Sequence, residues 1–223
     1  MPSIQMGSRP PNSIIVGNNP ATGMPAPARE IWLGAEKVWP ALTWEFEDDF
    51  ERPNGPPGPK WSGSGGWINN GTLRKDGNPG EGRLWTVQQF SSDDLVVRAK
   101  LGPIDNGTIR AGIKLGNPTY GSNWVGVDFS DTVLDIVGYD GDWPILASAP
   151  AEPWGAGDEL ELRREGETLT VYRNGDEVLQ GQSPLAIGSS YRHVNLTVNM
   201  EEQGFLNIEN HGPSFESVRV GTL

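Results

Sequence analysis

The stretch GDELELRREGETLTVYRNGDEVLQG, residues 157–181, limits what this chain can fold into more than any other. Leu160 and Leu162 alternate with Glu159 and Glu161, and Leu169 and Val171 alternate with Thr170 and Tyr172. A period of two sends one set of side chains to a buried face and the other toward water, as in a half-buried strand. A turn at Glu165-Gly166 separates the first two runs. Asn174-Gly175, the dipeptide favoured in two-residue type I′ hairpins, separates the second from the third. Three consecutive antiparallel strands follow.

The same period recurs along the chain. Leu95, Val97, Ala99 and Leu101 share one face of 93–102, and Ile109, Ala111, Ile113 and Leu115 share one face of 108–116. Val125, Val127 and Phe129 do so in 123–130, and Leu134 and Ile136 in 132–141. With 193–200 and 215–223 the total reaches about eleven or twelve strands. The 30 Gly and 19 Pro residues supply turns, and helix is a minor component. Strands with one apolar face need a cover, and two stacked antiparallel sheets provide it for each other. The expected fold class is all-β, an antiparallel β-sandwich.

Residues 1–43 read differently. They are Pro-rich and carry three copies of Ile-x-[Met/Val/Leu]-Gly, at 4–7, 14–17 and 31–34. In IWLGAEKVWP, residues 31–40, Ile31 and Leu33 before a turn and Val38 after it would line one side of a tiny hairpin that also carries Trp32 and Trp39. An isolated two-stranded hairpin is marginal in water and needs another surface to lie on. The expected division is therefore a docking segment over 1–43, with Ile31, Trp32, Leu33, Val38 and Trp39 as its contacts, and a sandwich over 44–223.

Composition excludes several function classes. Against 29 acidic residues the chain has 17 basic ones and a net charge of -12, with no basic cluster to track phosphates, so nucleic acid is not an expected partner. The absence of cysteine removes disulfides, thiolate metal sites and cysteine nucleophiles. No stretch is long and apolar enough for a membrane span, and the N-terminus lacks the pattern of a secretory signal, so neither membrane insertion nor signal-driven export is expected. The two histidines, His193 and His211, follow no Gly-x-Ser-x-Gly elbow, which leaves no candidate triad. Asp140 and Asp142 flank a glycine in YDGDW as a weak calcium candidate, but calcium takes six to eight oxygens. No metal and no cofactor is expected.

The strongest candidate site is for carbohydrate. If Val125, Val127 and Phe129 face the core, Trp124 and Asp128 face away, and the same rule turns Arg110, Lys114, Asp135, Tyr139, His193, Asn195 and Asn199 outward. Sugars are held by such mixtures, with ring faces on Trp or Tyr and hydroxyls on polar groups. Trp143 and Trp154, in loops with Pro and Gly, would form a rim. The candidate set is Trp124, Asp128, Asp135, Tyr139, Arg110, His193, Asn195 and Trp143. It forms one site only if these strands are neighbours in one sheet.

Three segments carry a resemblance: EDDFERPNGPPGPKW (47–61), GDELELRREGETLTVYRNGDEV (157–178) and FESVRVG (215–221). They resemble the first strand, central hairpin and last strand of concanavalin A-like, laminin-G-like jelly rolls, over roughly residues 44–223. The leader ending in IWLGAEKVWP and running into DDFERPNG is similar to minor tail proteins of tailed bacteriophages, especially those infecting actinobacteria. The resemblance implies a jelly roll displayed on a virion tail, assembled in the host cytoplasm, present in several symmetric copies and not an enzyme. Its implied partners are other tail or virion proteins, and its implied ligand is a host-surface polysaccharide. Two alternatives stay open: a capsid or virion decoration protein without a ligand, and a glycosidase. Jelly-roll glucanases carry Glu-x-Asp-x-(x)-Glu on one strand, and Glu47, Asp49 and Glu51 have that spacing.

Overall fold

The computed structural model describes residues 31–33, 36–39, 42–118, 123–203 and 208–223; the side chains of 31–39, Gln203 and Ile208 lie outside the description. The chain separates into two units, with the boundary between Thr43 and Trp44. In the first, β1 (Ile31–Leu33) pairs antiparallel with β2 (Glu36–Trp39). Leu33 lies opposite Glu36, Trp32 opposite Lys37 and Ile31 opposite Trp39, so Val38 is the extra residue of a bulge. The contacts expected of Ile31, Trp32, Leu33, Val38 and Trp39 fall outside the described residues, as do the Gly-ended segments at 4–7 and 14–17.

Among its described residues the second unit is built of strands and turns, apart from one 3₁₀ turn. Its strands begin with β3 (Thr43–Asp48), β4 (Trp61–Ser64), β5 (Gly66–Asn69), β6 (Thr72–Lys75) and β7 (Gly80–Thr86). There follow β8 (Leu95–Leu101), β9 (Ala111–Gly116), β10 (Trp124–Phe129), β11 (Leu134–Tyr139) and β12 (Ile145–Ser148). The rest are β13 (Glu159–Glu165), β14 (Thr168–Arg173), β15 (Asp176–Gln182), β16 (His193–Gln203), β17 (Ile208–His211) and β18 (Phe215–Thr222). They form two antiparallel sheets. The first runs β12-β11-β10-β9-β16-β7-β4, with β17 on β16; the second runs β15-β14-β13-β8-β18-β6-β5, with β3 on β18. The all-β sandwich expected from alternation is the fold, and its last strand lies beside β3, as the jelly-roll resemblance implies.

Register keeps the apolar sets in line. In the second sheet Val171, Leu162, Val97 and Val220 sit opposite one another from β14 to β18, and in the first sheet Val127, Ile113 and Leu196 do so from β10 to β16. All seven are fully buried, each contributing about 1.5–3 kcal/mol by leaving water. Arg173 pairs with Asp176 across Asn174 (φ 53°) and Gly175 (φ 90°), the two positive-φ positions that a type I′ hairpin demands. The preceding turn is Gly166-Glu167, one residue later than expected, because Glu165 still pairs with Thr168.

Two expectations are corrected. The segment 61–86 holds four strands that alternation did not announce, because its apolar positions are replaced by glycine. A Cβ on Gly63 would lie 2.1 Å from the Arg83 carbonyl oxygen, and one on Gly66 would lie 2.3 Å from Leu84 Cδ1. The second concerns Trp154, expected on a rim, which is 7% exposed. Its ring lies 5.0 Å from Phe129, with the Arg173 guanidinium 4.4 Å above it, so it closes one end of the core.

Candidate functional site

The strands carrying the candidate sugar residues are neighbours. On the face of the first sheet turned away from the core, Asp135 lies opposite Asp128, Asp128 opposite Gly112, and Gly112 opposite Thr197, which meets Arg83 of β7. One row along, Gly126 meets Lys114, Lys114 meets Asn195, and Asn195 meets Trp85; beyond that Tyr139 meets Trp124, and Gly116 separates Trp124 from His193. Trp124, Asp128, Asp135, Tyr139, His193 and Asn195 therefore share one face. Trp143, in the β11–β12 loop, folds back onto it. Arg110, just before β9, is exposed at its margin, where its carbonyl accepts Asn199 Nδ2 at 2.7 Å. The contribution of β7 was missed, because Gly82 and Thr86 take two of its three inward positions and leave Leu84 as the single apolar one.

At one end of this face three aromatic rings meet. Trp124 stacks on Tyr139 at 6.0 Å and 15°, while Trp143 stands edge-on to Trp124 at 5.1 Å and 72°. The Lys114 ammonium lies 4.7 Å above the Trp124 ring and pairs with Asp128. Burial is the largest influence on the Lys114 amine and holds it below its ordinary value, against the pull of Asp128 and Glu81. Asp135 accepts the Ser148 hydroxyl at 2.7 Å. Arg83 pairs with Glu81 and sits 5.7 Å from the Trp143 ring.

Two polar groups stay open. His193 Nδ1 lies 3.0 Å from the Thr86 carbonyl, which can only accept, so Nδ1 donates, and in the neutral ring Nε2 is then an acceptor. Asn195 Oδ1 accepts the Thr197 hydroxyl at 2.8 Å, while Nδ2 is buried with no partner among the described residues.

Pointing away from the core is not the same as being exposed. Trp124 is 5% exposed and Asn195 1%, whereas Trp143 is 56% exposed. The expectation that Trp124 offers its ring to a ligand is corrected: its neighbours on the same face already cover it.

The carboxylate series is also corrected. β3 ends at Asp48, so Asp49 and Glu51 do not continue the strand. Glu47 is bound by Arg219, at 2.6 Å from Nη2, and Asp49 Oδ1 accepts the Glu51 amide at 3.1 Å. The carboxylate that turns inward is Asp48, which accepts Trp61 Nε1 at 2.8 Å, the Phe50 amide at 3.0 Å and the Arg52 guanidinium. Burial, the largest influence on Asp48, raises its carboxyl, but the three donors together hold it below the usual aspartate value. At the calcium candidate, Asp142 N donates to Asp140 Oδ1 at 3.4 Å in an exposed turn. Among the described residues no group of three or more His, Asp or Glu side chains could hold a metal ion.

No protein-family model matches the chain, and no curated protein sequence matches it. Solved structures do. A protein of unknown function with a galectin-like fold from Bacillus subtilis superposes with a TM-score of 0.59 at 12% identity, over 81% of this chain and 96% of that one. SCLam, a non-specific endo-β-1,3(4)-glucanase from family GH16, gives 0.56 at 12% identity, over 81% and 91%. The carbohydrate-binding module CBM66 from Bacillus subtilis gives 0.50 at 12% identity, over 73% and 92%. At such identities the likeness is one of architecture, and the fold of this chain is a concanavalin A-like, galectin-like jelly-roll β-sandwich.

Proposed function

We propose that the sandwich is a non-catalytic carbohydrate-binding domain whose ligand meets the outer face of the first sheet. The observation that carries this reading is the convergence of Asp128, Asp135, His193 and Asn195 with Tyr139 and Trp143, leaving one amide donor and one imidazole acceptor open. Similar folds described as a carbohydrate-binding module and a glucanase make a saccharide the natural ligand class. The non-catalytic part rests on the carboxylates of this face being engaged: Asp128 by Lys114, Asp135 by Ser148 and Glu81 by Arg83. A glycosidase needs two that are free to act on the bond.

The test is calorimetric titration of the full chain against soluble glucans, mannans and galactans, with reducing-end release followed alongside. Binding without release is expected, and Asn195→Ala should weaken it at least tenfold. Release of reducing ends would overturn the non-catalytic reading, and silence across the panel would favour a decoration protein without a ligand.

The finer reading is display on a bacteriophage tail through residues 1–43, in several symmetric copies that multiply weak contacts. What supports it is the leader sequence and its likeness to minor tail proteins. Co-sedimentation of the full chain with receptor-free particles should be lost on Trp32→Ala/Trp39→Ala; unchanged sedimentation would overturn it.

A further inference from the structure

The groups at the floor of the candidate face are buried although they point away from the core. Lys114 is 5% exposed, Asn195 1% and Thr197 2%. In a two-layer sandwich a residue on the outer face is buried only if something on that same side lies over it. Among the described residues, two long side chains meet there from opposite sides: Trp143, from the loop after β11, and Arg83, from β7. Those strands are four places apart in the sheet, about 19 Å at ordinary strand spacing, yet the Arg83 guanidinium is 5.7 Å from the Trp143 ring. Both side chains keep substantial contact with water, Arg83 at 43% and Trp143 at 56%. The Trp143 loop turns through Gly141 (φ 116°), a conformation that side-chain-bearing residues rarely adopt.

We propose that Arg83 and Trp143 form a removable roof over a polar floor of Lys114, Asp128, Asn195 and Thr197, and that Arg83 is the residue that sets access to it. This rests on the carbohydrate reading only for the identity of what enters. The contact between the two is a cation–π pair at an exposed position, which contributes little and is readily exchanged. The floor beneath it holds an amide donor without a partner, a costly state in a closed site that an entering acceptor relieves. Arg83 thus acts through Trp143, and its role is to position the cover rather than to hold the ligand.

Lys114 reports on the roof without any sugar. The full chain is treated with an amine-acylating reagent and the rate at each lysine is read by peptide mass spectrometry. Lys60 and Lys100 are exposed references, and Lys75, 6% exposed and carried by the other sheet, is the buried one. Arg83→Gln should raise the Lys114 rate about two- to fivefold, the change that an exposed cation–π pair of about 0.5–1 kcal/mol corresponds to. Lys75 should stay as it was. Arg83→Lys, which keeps a cation for the ring, should restore protection, and Trp143→Leu should mimic Arg83→Gln. An unchanged Lys114 rate in both Arg83→Gln and Trp143→Leu would overturn the proposal. So would a parallel rise at Lys75, because the loosening would then be global. Failure of the labelling counts against the roof alone, and failure of the glycan titration against the binding reading alone.

Discussion

The two outer faces of the sandwich are built from similar residue types and put them to opposite use. On the first sheet, cations lie against rings and carboxylates inside a covered cluster: Lys114 over Trp124 and against Asp128, Arg83 against Trp143. On the second, Arg98 and Arg219 flank Trp44 at 5.5 and 5.9 Å, and the pairs Lys100–Glu216 and Arg219–Glu47 stay largely in water, while Glu161, held by Arg98 and Arg163, is the buried member of that face. The difference is a loop. Trp143 comes back over one face, and no equivalent side chain is described over Trp44, which is 37% exposed. The same ion pair is worth several-fold more, or costs more, once water is removed.

The largest test of that contrast is Trp124→Ala. Although Trp124 lies outside the core, its cover should make it behave as a core residue, with a loss of about 3–5 kcal/mol in urea unfolding. A loss near 1 kcal/mol would mean that the cluster is open in solution and that the two faces are alike.

Next is Lys114→Met. It strands the Asp128 carboxylate, whose side chain is 17% exposed, and should cost about 3 kcal/mol. Lys114→Met/Asp128→Leu should recover most of that loss, since burial already works against the Lys114 charge and removing both ions removes the desolvation cost. If single and double variants unfold alike, the pair is not coupled.

Smaller is the effect at Asp48, at the end of β3. Its folded carboxyl titrates below the ordinary aspartate value, so the native state holds fewer protons than the unfolded chain. The stability it contributes is present at neutral pH and is lost as pH falls below the ordinary aspartate value and through the lower folded one. Asp48→Asn should cost about 1–3 kcal/mol at pH 7. The gap between variant and wild type should close below about pH 4 in denaturant titrations; a constant gap would mean that shape, not charge, is what Asp48 supplies.

How much of this was written in the sequence follows the same division between direction and cover. Alternation in 95–101 and 160–171 gave the side to which each residue points, and the pairing of Leu162 with Val97 and Val171 agrees with it. Asn174-Gly175 fixed a hairpin because only positive φ closes a two-residue turn with the right twist. Neither signal says what lies above a face, which is why Trp124 and Asn195 were read as outward but not as buried. At 61–86 the signal itself was missing. Gly63 on β4, Gly66 on β5 and Gly82 on β7 sit where neighbouring atoms leave no room for a Cβ, so these strands, including the one that brings Arg83 and Trp85 to the site, lack the usual apolar beat. The acid series failed for a further reason: Phe50 takes φ 54°, which ends the strand between Asp48 and Glu51, so the one-strand series that spacing alone implied is not formed, although Glu47, Asp49 and Glu51 still line one surface cavity with Arg98, Lys100 and Arg219.

The smallest expected effect belongs to the open face. Lys100 and Glu216 lie 2.6 Å apart, closer than most pairs that proteins use for structure, but their side chains are 47% and 39% exposed. Water screens the attraction, and holding two long side chains together costs rotamer freedom, so the net contribution of such a pair is about 0–1 kcal/mol. Lys100→Met should therefore lower the unfolding free energy in urea by less than about 0.5 kcal/mol, and the change should vanish in 1 M salt, where the Debye length is about 3 Å. Lys114→Met should be nearly salt-independent, because ions do not reach a covered pair. Comparing the two variants across salt thus measures cover directly: if both respond alike, the face that carries the candidate site is as open as the one that does not, and distance alone was a poor guide to either.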